Sequence, residues 1–173
     1  MARRSRAREV ALQLLYELDR NPATPENRDR GFVDSRLRGA GLRQFAMDLS
    51  AGVRTKRDEI DRIITESAQN WSLGRMTPID RSILRLATFE ILFNADTPVK
   101  VVIDEAIELA KRFGTAESSR FVNGILDRIV TTHPRLATPV NSPSPDQSTR
   151  GDSHSPGQSD LAPPVDSLDP LAT

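Results

Sequence analysis

Apolar positions recur at i, i+3 and i+4 through most of the first 133 residues, and no stretch sustains period-two alternation. That pattern predicts an all-α fold. Ala7, Val10, Ala11, Leu14, Leu15 and Leu18 outline a first helix that Ser5 can cap. Leu42, Phe45, Ala46, Leu49 and Val53 outline a second; Ile60, Ile63, Ile64 and Ala68 outline a third, with Trp71 near its end. Between the first two, residues 20–41 hold Pro22, Pro25, Gly31, Gly39 and Gly41 and read as a loose connection, with room for a short helical turn after Thr24-Pro25. Thr77-Pro78 and Thr97-Pro98 repeat one start signal, a capping hydroxyl followed by proline at the first helical position. The helix from Pro78 is apolar almost all round (Ile79, Ile83, Leu84, Leu86, Ala87, Phe89, Ile91, Leu92), which marks it as central. The helix from Pro98 presents Val99, Val102, Ile103, Ala106, Ile107 and Ala110 and stops at Gly114. Thr115 then caps a last helix built on Val122, Ile125, Leu126 and Ile129.

From Pro134 the composition changes. Residues 134–173 contain eight of the twelve prolines and no aromatic residue, and so cannot bury enough apolar surface to offset the entropy of ordering. They read as a disordered Pro/Ser-rich tail behind a single domain at 1–133.

Composition narrows the chemistry. With no cysteine among 173 residues, disulfides and thiolate metal sites are excluded. The two histidines, His133 and His154, stand at the end of the helical pattern and beyond it, so neither a histidine metal cluster nor a Ser-His-Asp triad is easily built. No clustered acid, base or nucleophile accompanies a cofactor motif, which argues against an enzyme, a cofactor or a small-molecule substrate. No apolar run has the length of a membrane span, and Glu9, Gln13 and Glu17 interrupt the only stretch resembling a targeting segment; the expectation is a cytoplasmic protein.

Formal charge is zero but unevenly placed. Residues 1–133 carry 22 basic against 19 acidic side chains, and residues 134–173 carry 2 against 5. Arg3, Arg4, Arg6 and Arg8 meet no acid within the first eight residues, a short basic arm suited to an anionic partner.

Three surfaces remain after the core is assigned. Leu12 and Tyr16 fall on the side of the first helix away from Leu14 and Leu18, either as a contact for another protein or under a neighbouring helix of the same domain. Arg120, Phe121, Gly124 and Arg128 share a stripe of the last helix, with Glu117 beside them. Glycine in a helix interior costs about 1 kcal/mol against alanine, so Gly124 marks either a flat approach for a ligand or tight helix packing. A ring flanked by arginines suits unstacked bases and phosphates, while the plainer alternative tucks Phe121 into the core flank. Asp80, three residues after Thr77, resembles the acid of a capping box.

The run KVVIDEAIELAKRFGTAESSRFVNGILDRI, Lys100 to Ile129, resembles the signature of the NusB family of bacterial transcription antitermination factors. RSRAREVALQLLYEL resembles that family's N-terminus and IDRSILRLATFEIL its central helix, so the resemblance covers residues 3 to about 132 and is weakest over 20–41. It implies two packed helical bundles without catalytic activity. It further implies binding of the boxA segment of nascent ribosomal RNA together with NusE, a small-subunit ribosomal protein, within an RNA polymerase complex that resists termination. The family's RNA surface maps onto Arg3, Arg4, Arg6, Arg8, Arg120 and Phe121, with Gly124 as the flat place and Lys100, Lys111 and Phe113 as further candidates from the same run. Its NusE surface maps onto Tyr16, with Leu12 beside it, and onto Asp80, where the family more usually has glutamate. Glu117 on the RNA stripe is a departure that weakens phosphate attraction. Two other readings stay open: a purely protein-binding helical scaffold, and a stand-alone relative of the RNA-binding front domain of ribosomal RNA cytosine methyltransferases.

Overall fold

In the computed structural model the helix that begins at Pro78 has almost no solvent face: Ser82 to Thr88 are buried without interruption. The structure describes residues 3–23, 27–69, 71–94 and 96–134, and these contain α-helices and one short 3-10 turn but no strand. The helices are α1 Arg3–Arg20, α2 Asn27–Arg36, α3 Ala40–Thr55, α4 Arg57–Ser67, α5 Pro78–Phe93, α6 Val99–Phe113 and α7 Ser118–Thr132, with the 3-10 turn at Leu73–Arg75. One bundle is formed by α1, α2 and α3, the other by α4, α6 and α7, and α5 packs on members of both. The all-α architecture is therefore the one the periodicity predicts, and its two packed bundles are those the family resemblance implies. All described residues fall within one unit, residues 1–141. The tail expected over 134–173 lies, Pro134 aside, outside the described residues; the short helical turn expected after Thr24-Pro25 is a ten-residue helix, α2.

Local signals explain most helix ends and misplace others. Thr77 caps α5 as expected: its hydroxyl accepts the Asp80 N–H at 3.1 Å and Pro78 occupies the first turn. Thr97 does not cap α6. Pro98 is the boundary residue, and the Thr97 hydroxyl instead accepts from Arg8 Nη2 at 3.3 Å. Ser5 lies inside α1, which starts at Arg3, and donates to Glu105 Oε1 of α6 at 2.6 Å. Thr115 precedes α7 without capping it: its N–H donates to Ser118 Oγ at 2.9 Å. Gly114 ends α6 in an extended conformation (φ −91°), so it is required by space rather than by a left-handed turn; a Cβ there would stand 2.5 Å from the Ser118 side chain.

The connection expected at 20–41 contains a full helix. Within it α2 has few apolar residues, yet Val33 is buried and Leu37 just beyond it is buried as well, both against the α1–α3 pair. Asp29 of α2 pairs with Arg54 of α3. Tertiary packing overrides a weak local pattern here.

Two ionic clusters, one buried and one partly buried, tie the helices together. Arg8 of α1 is 3% exposed and Glu90 of α5 is 1% exposed. The guanidinium donates through Nε and Nη2 to the two carboxylate oxygens at 2.8 and 2.7 Å. In the second cluster Asp19 of α1 accepts from Arg81 and Arg85 of α5, the latter at 2.7 Å, and Arg85 also donates to Asp61 of α4 at 2.7 and 2.8 Å. Burial alone pushes the Asp19 carboxyl up, but the hydrogen bonds from Arg81 and Arg85 outweigh it and hold Asp19 below the ordinary carboxylate range. Burial likewise pulls Arg85 down, and its bonds to Asp61 and Asp19 raise it past its usual value.

Two stability outcomes follow from these clusters. Arg8→Ala strands the Glu90 carboxylate in the core and is expected to cost about 3–5 kcal/mol in urea unfolding, whereas Arg8→Met with Glu90→Leu costs far less. A carboxyl whose folded pKa is lowered stabilises the fold above its unfolded pKa of about 3.9 and loses that contribution as pH falls through the folded value. Urea midpoints at pH 7 and pH 3 should therefore differ less for Asp19→Asn than for the parent protein, with the variant already weaker at pH 7.

Candidate nucleic-acid interface and partner groove

The buried face of α7 is Val122, Ile125, Leu126 and Ile129, which lock it into the core between α4, α5 and α6. Its other side leaves Arg120 and Gly124 exposed, as it does Glu117 at the helix start. A Cβ on Gly124 would find nothing within 4 Å, so helix packing does not explain the glycine and the place is open. Phe121 is half-buried: one side of the side chain packs on the core flank, and the ring makes an edge contact with Trp71 at 5.9 Å between centroids, 69° between planes. Trp71 is 47% exposed, and the Arg75 guanidinium lies 5.1 Å from its ring centre. The result is a surface of two rings with Arg75 and Arg120 at its edges. Arg128 is drawn to α4, donating to the Ser67 carbonyl at 2.9 Å. No local pattern marks Trp71 and Arg75 as site residues: they lie in the connection before α5, and Trp71 meets Phe121 only through the packing of α4 on α7.

The N-terminal arginines divide into surface and core. Arg3 and Arg4 are exposed, and the Arg4 guanidinium lies 5.1 Å from the Phe45 ring centre. Arg6 is ion-paired with Glu9, which Arg112 also reaches at 3.0 Å. Arg8 corrects the expectation of a fourth RNA-facing arginine: its side chain is buried in the pair with Glu90. Lys100 is exposed beside Asp104 at 3.0 Å and Lys111 beside Glu108 at 2.7 Å, each on the outer face of α6. No hydrogen bond, ion pair or ring contact joins Arg3 or Arg4 to Phe121; the former lie against the start of α3, the latter against Trp71.

A separate groove of about 530 Å3 runs between α1, α2, α5 and α6, lined by Leu12, Tyr16, Phe32, Arg36, Ile79 and Phe113 among others. Tyr16 is half-buried, with Arg20 at 6.0 Å from its ring centre. Leu12 is only 1% exposed, so it forms the floor and is not a free surface residue; α1 is buried on several sides, which a single-faced wheel does not capture. Phe113, taken from the signature as an RNA candidate, is 36% exposed and lies in the groove with Tyr16. Asp80 is 5% exposed, immediately after the groove residues Pro78 and Ile79, and its Oδ1 is buried without a hydrogen-bond partner. Among the described residues no group of three metal-ligating side chains gathers, and no helix is long and apolar enough to cross a membrane.

The family model described as the NusB family matches residues 5–131. The transcription antitermination protein NusB of Geobacter sulfurreducens is 47% identical over 135 residues, covering 78% of this chain and 98% of its own length. The NusB of Myxococcus xanthus is 46% identical over 133 residues, covering 75% and 95%. Among solved structures, T. maritima NusB superposes with a TM-score of 0.68 at 37% identity over 75% of this chain and 92% of its own. A crystal structure of the antitermination factors NusB and NusE in complex with double-stranded RNA superposes with a TM-score of 0.70 at 25% identity, over 77% and 99%. With a family match across all seven helices and relatives aligned along nearly their whole length, the chain belongs to the NusB family.

Proposed function

We propose that this protein is a non-enzymatic adapter of transcription antitermination in the cytoplasm. In this reading it grips the boxA segment of ribosomal RNA transcripts on the α7 surface and docks NusE in the Tyr16 groove, within an RNA polymerase complex. The observation that carries the reading is the paired rings of Phe121 and Trp71, flanked by Arg75 and Arg120 beside the open site at Gly124. Rings offer faces to unpaired bases, whereas an A-form duplex hides its base faces in the stack, so the preferred form is single-stranded. Tyr16 supports the protein-docking half: an aromatic in an apolar groove suits a protein surface, and Asp80 follows the groove residues Pro78 and Ile79 directly. Arg3 and Arg4 supply phosphate contacts. Phe113 moves to the docking half because of its place in the groove, and Lys100 and Lys111 contribute only as locally paired cations.

A purely protein-binding scaffold is the second reading, favoured by the size and apolar lining of the groove. The two separate in one set of titrations. Phe121→Ala and Trp71→Ala should each weaken binding of a boxA-like single strand by about 1–3 kcal/mol while circular dichroism shows unchanged helix content. The same strand annealed to its complement should bind more weakly. Tyr16→Ala should abolish NusE capture and leave binding of free RNA intact. Equal RNA binding by the parent and both ring variants would leave the scaffold reading standing.

A further inference from the structure

Two side-chain pairs at i, i+4 on α2 face different ways. Val33 and Leu37, the latter just past the helix end, are buried in the core. Phe32 and Arg36 each stand one residue earlier, about 100° round the axis, and line the groove that contains Tyr16. The two aspartates of the same helix are engaged by α3: Asp29 pairs with Arg54, and Asp34 with Arg43 at 3.4 Å.

What sets Arg36 apart from the other exposed arginines is how it is held. Its guanidinium carbon lies 3.6 Å from the centre of the Phe32 ring, whereas the other cation–ring contacts among the described residues span 5.1 to 6.0 Å. Nη1 donates to Ser35 Oγ at 3.2 Å, and Ser35 Oγ donates in turn to the Phe32 carbonyl at 2.8 Å. Ring and hydroxyl together hold the fork in place, which lowers the ordering entropy lost when a ligand engages it. Among the described residues lining the groove, Arg36 alone is basic; Leu12, Tyr16, Phe32, Ile79 and Phe113 make most of the remainder apolar.

We propose that Arg36 is a specificity-determining residue of the groove: its guanidinium, held over Phe32, pairs with an aspartate or glutamate of the docked protein beside that protein's apolar anchor. The inference rests on the protein-docking half of the reading above and names the chemistry the partner must bring. A guanidinium presents only donors, in a fork that a carboxylate matches in both geometry and charge. A partner that fills the groove also strips water from Arg36, which Phe32 already covers on one side. A neutral or basic side chain at that point would leave a desolvated cation unpaired. The apolar lining accepts any apolar side chain of suitable size, so the penalty at Arg36 is what separates partners with the acid from those without it. A phosphate also fits the fork, but the described lining offers an RNA strand no second cation.

The test measures association and dissociation rates of purified NusE on the full chain, with single-stranded RNA binding followed alongside. Arg36→Gln should raise the NusE dissociation rate about 3- to 10-fold, and Arg36→Glu should raise it further, with urea midpoints near the parent's. Arg36→Lys should recover only part of the loss, because a point charge does not fork. Phe32→Leu keeps the wall apolar but removes the ring, and combined with Arg36→Gln its effect should be less than additive, since both break one contact. Among charge reversals of NusE acids, one should bind Arg36→Glu better than it binds the parent. Unchanged dissociation in Arg36→Gln and Arg36→Glu, with Tyr16→Ala still abolishing capture, overturns the pair and leaves the docking reading in place. A change confined to the association rate at low salt makes Arg36 a steering charge and also overturns the pair. No capture of NusE by the parent overturns both. Weaker RNA binding in Arg36→Glu with NusE rates unchanged assigns the guanidinium to phosphate and overturns the protein contact.

Discussion

The bidentate bond between Arg8 and Glu90 is the constraint on which the rest of the molecule depends. Apolar packing places one helix against another but tolerates slippage, because one methyl group resembles the next. Two parallel N–H···O bonds in a dry interior do not tolerate it: a displaced α1 leaves a buried carboxylate and a buried guanidinium unpaired. The pair thus fixes both the rotation and the register of α1 on α5. Register is what function needs. Arg3 and Arg4 stand one turn before Arg8 and meet the start of α3, while Tyr16 stands about 12 Å beyond it along the axis, facing the groove. A single internal bond therefore places two external surfaces.

The shared helix α5 does the corresponding work for the other bundle. Its Arg85 reaches Asp61 on α4 and Asp19 on α1, so the two bundles are joined through charge as well as apolar contact. With α4 held in this way, Trp71 just beyond its end comes to rest against Phe121 on α7. The ring pair belongs to one bundle, and the groove that contains Tyr16 draws on helices of both. The ring pair and the groove therefore share no residue.

How much of this was legible in the sequence depends on whether the cause was local. The all-round apolar pattern of α5 could be read directly, because burial on every side leaves no polar face. The Thr77 cap could be read because donor and acceptor are three residues apart. Thr97 carries the same local signal, yet its hydroxyl is engaged by Arg8, 89 residues earlier in the chain. Arg8 itself is indistinguishable in sequence from Arg4, and only the position of Glu90, 82 residues away, decides that one is core and the other surface. Leu12 was assigned to an outer face because a helical wheel assumes one buried side, while α1 is covered on several. The helix α2 is legible only as a short turn after Thr24-Pro25, because its full length is stabilised by Val33 and Leu37 seated against neighbours and not by a periodic stripe. Trp71 and Phe32 are not legible as site residues for the same reason, and Phe113 is legible only as a member of the signature run and not as part of the groove: each joins its site across a tertiary contact.

The charge pattern then determines how such a molecule can hold RNA at all. A chain with 24 basic and 24 acidic side chains has no long-range field with which to gather a polyanion. Screening shortens the reach of each charge to about 8 Å at physiological salt, and a cation paired with an adjacent carboxylate contributes little even within that distance. In the proposed reading, recognition draws on exposed arginines that have no adjacent carboxylate, such as Arg3 and Arg4 at the start of α1 and Arg75 beside the Trp71 ring. Stacking on the rings depends little on salt, while phosphate contact at the start of α1 depends on it strongly. If RNA is held as proposed, two terms of different physical origin at separate points of one scaffold allow stacking on α7 and phosphate contact at the start of α1 to be tuned by different residues.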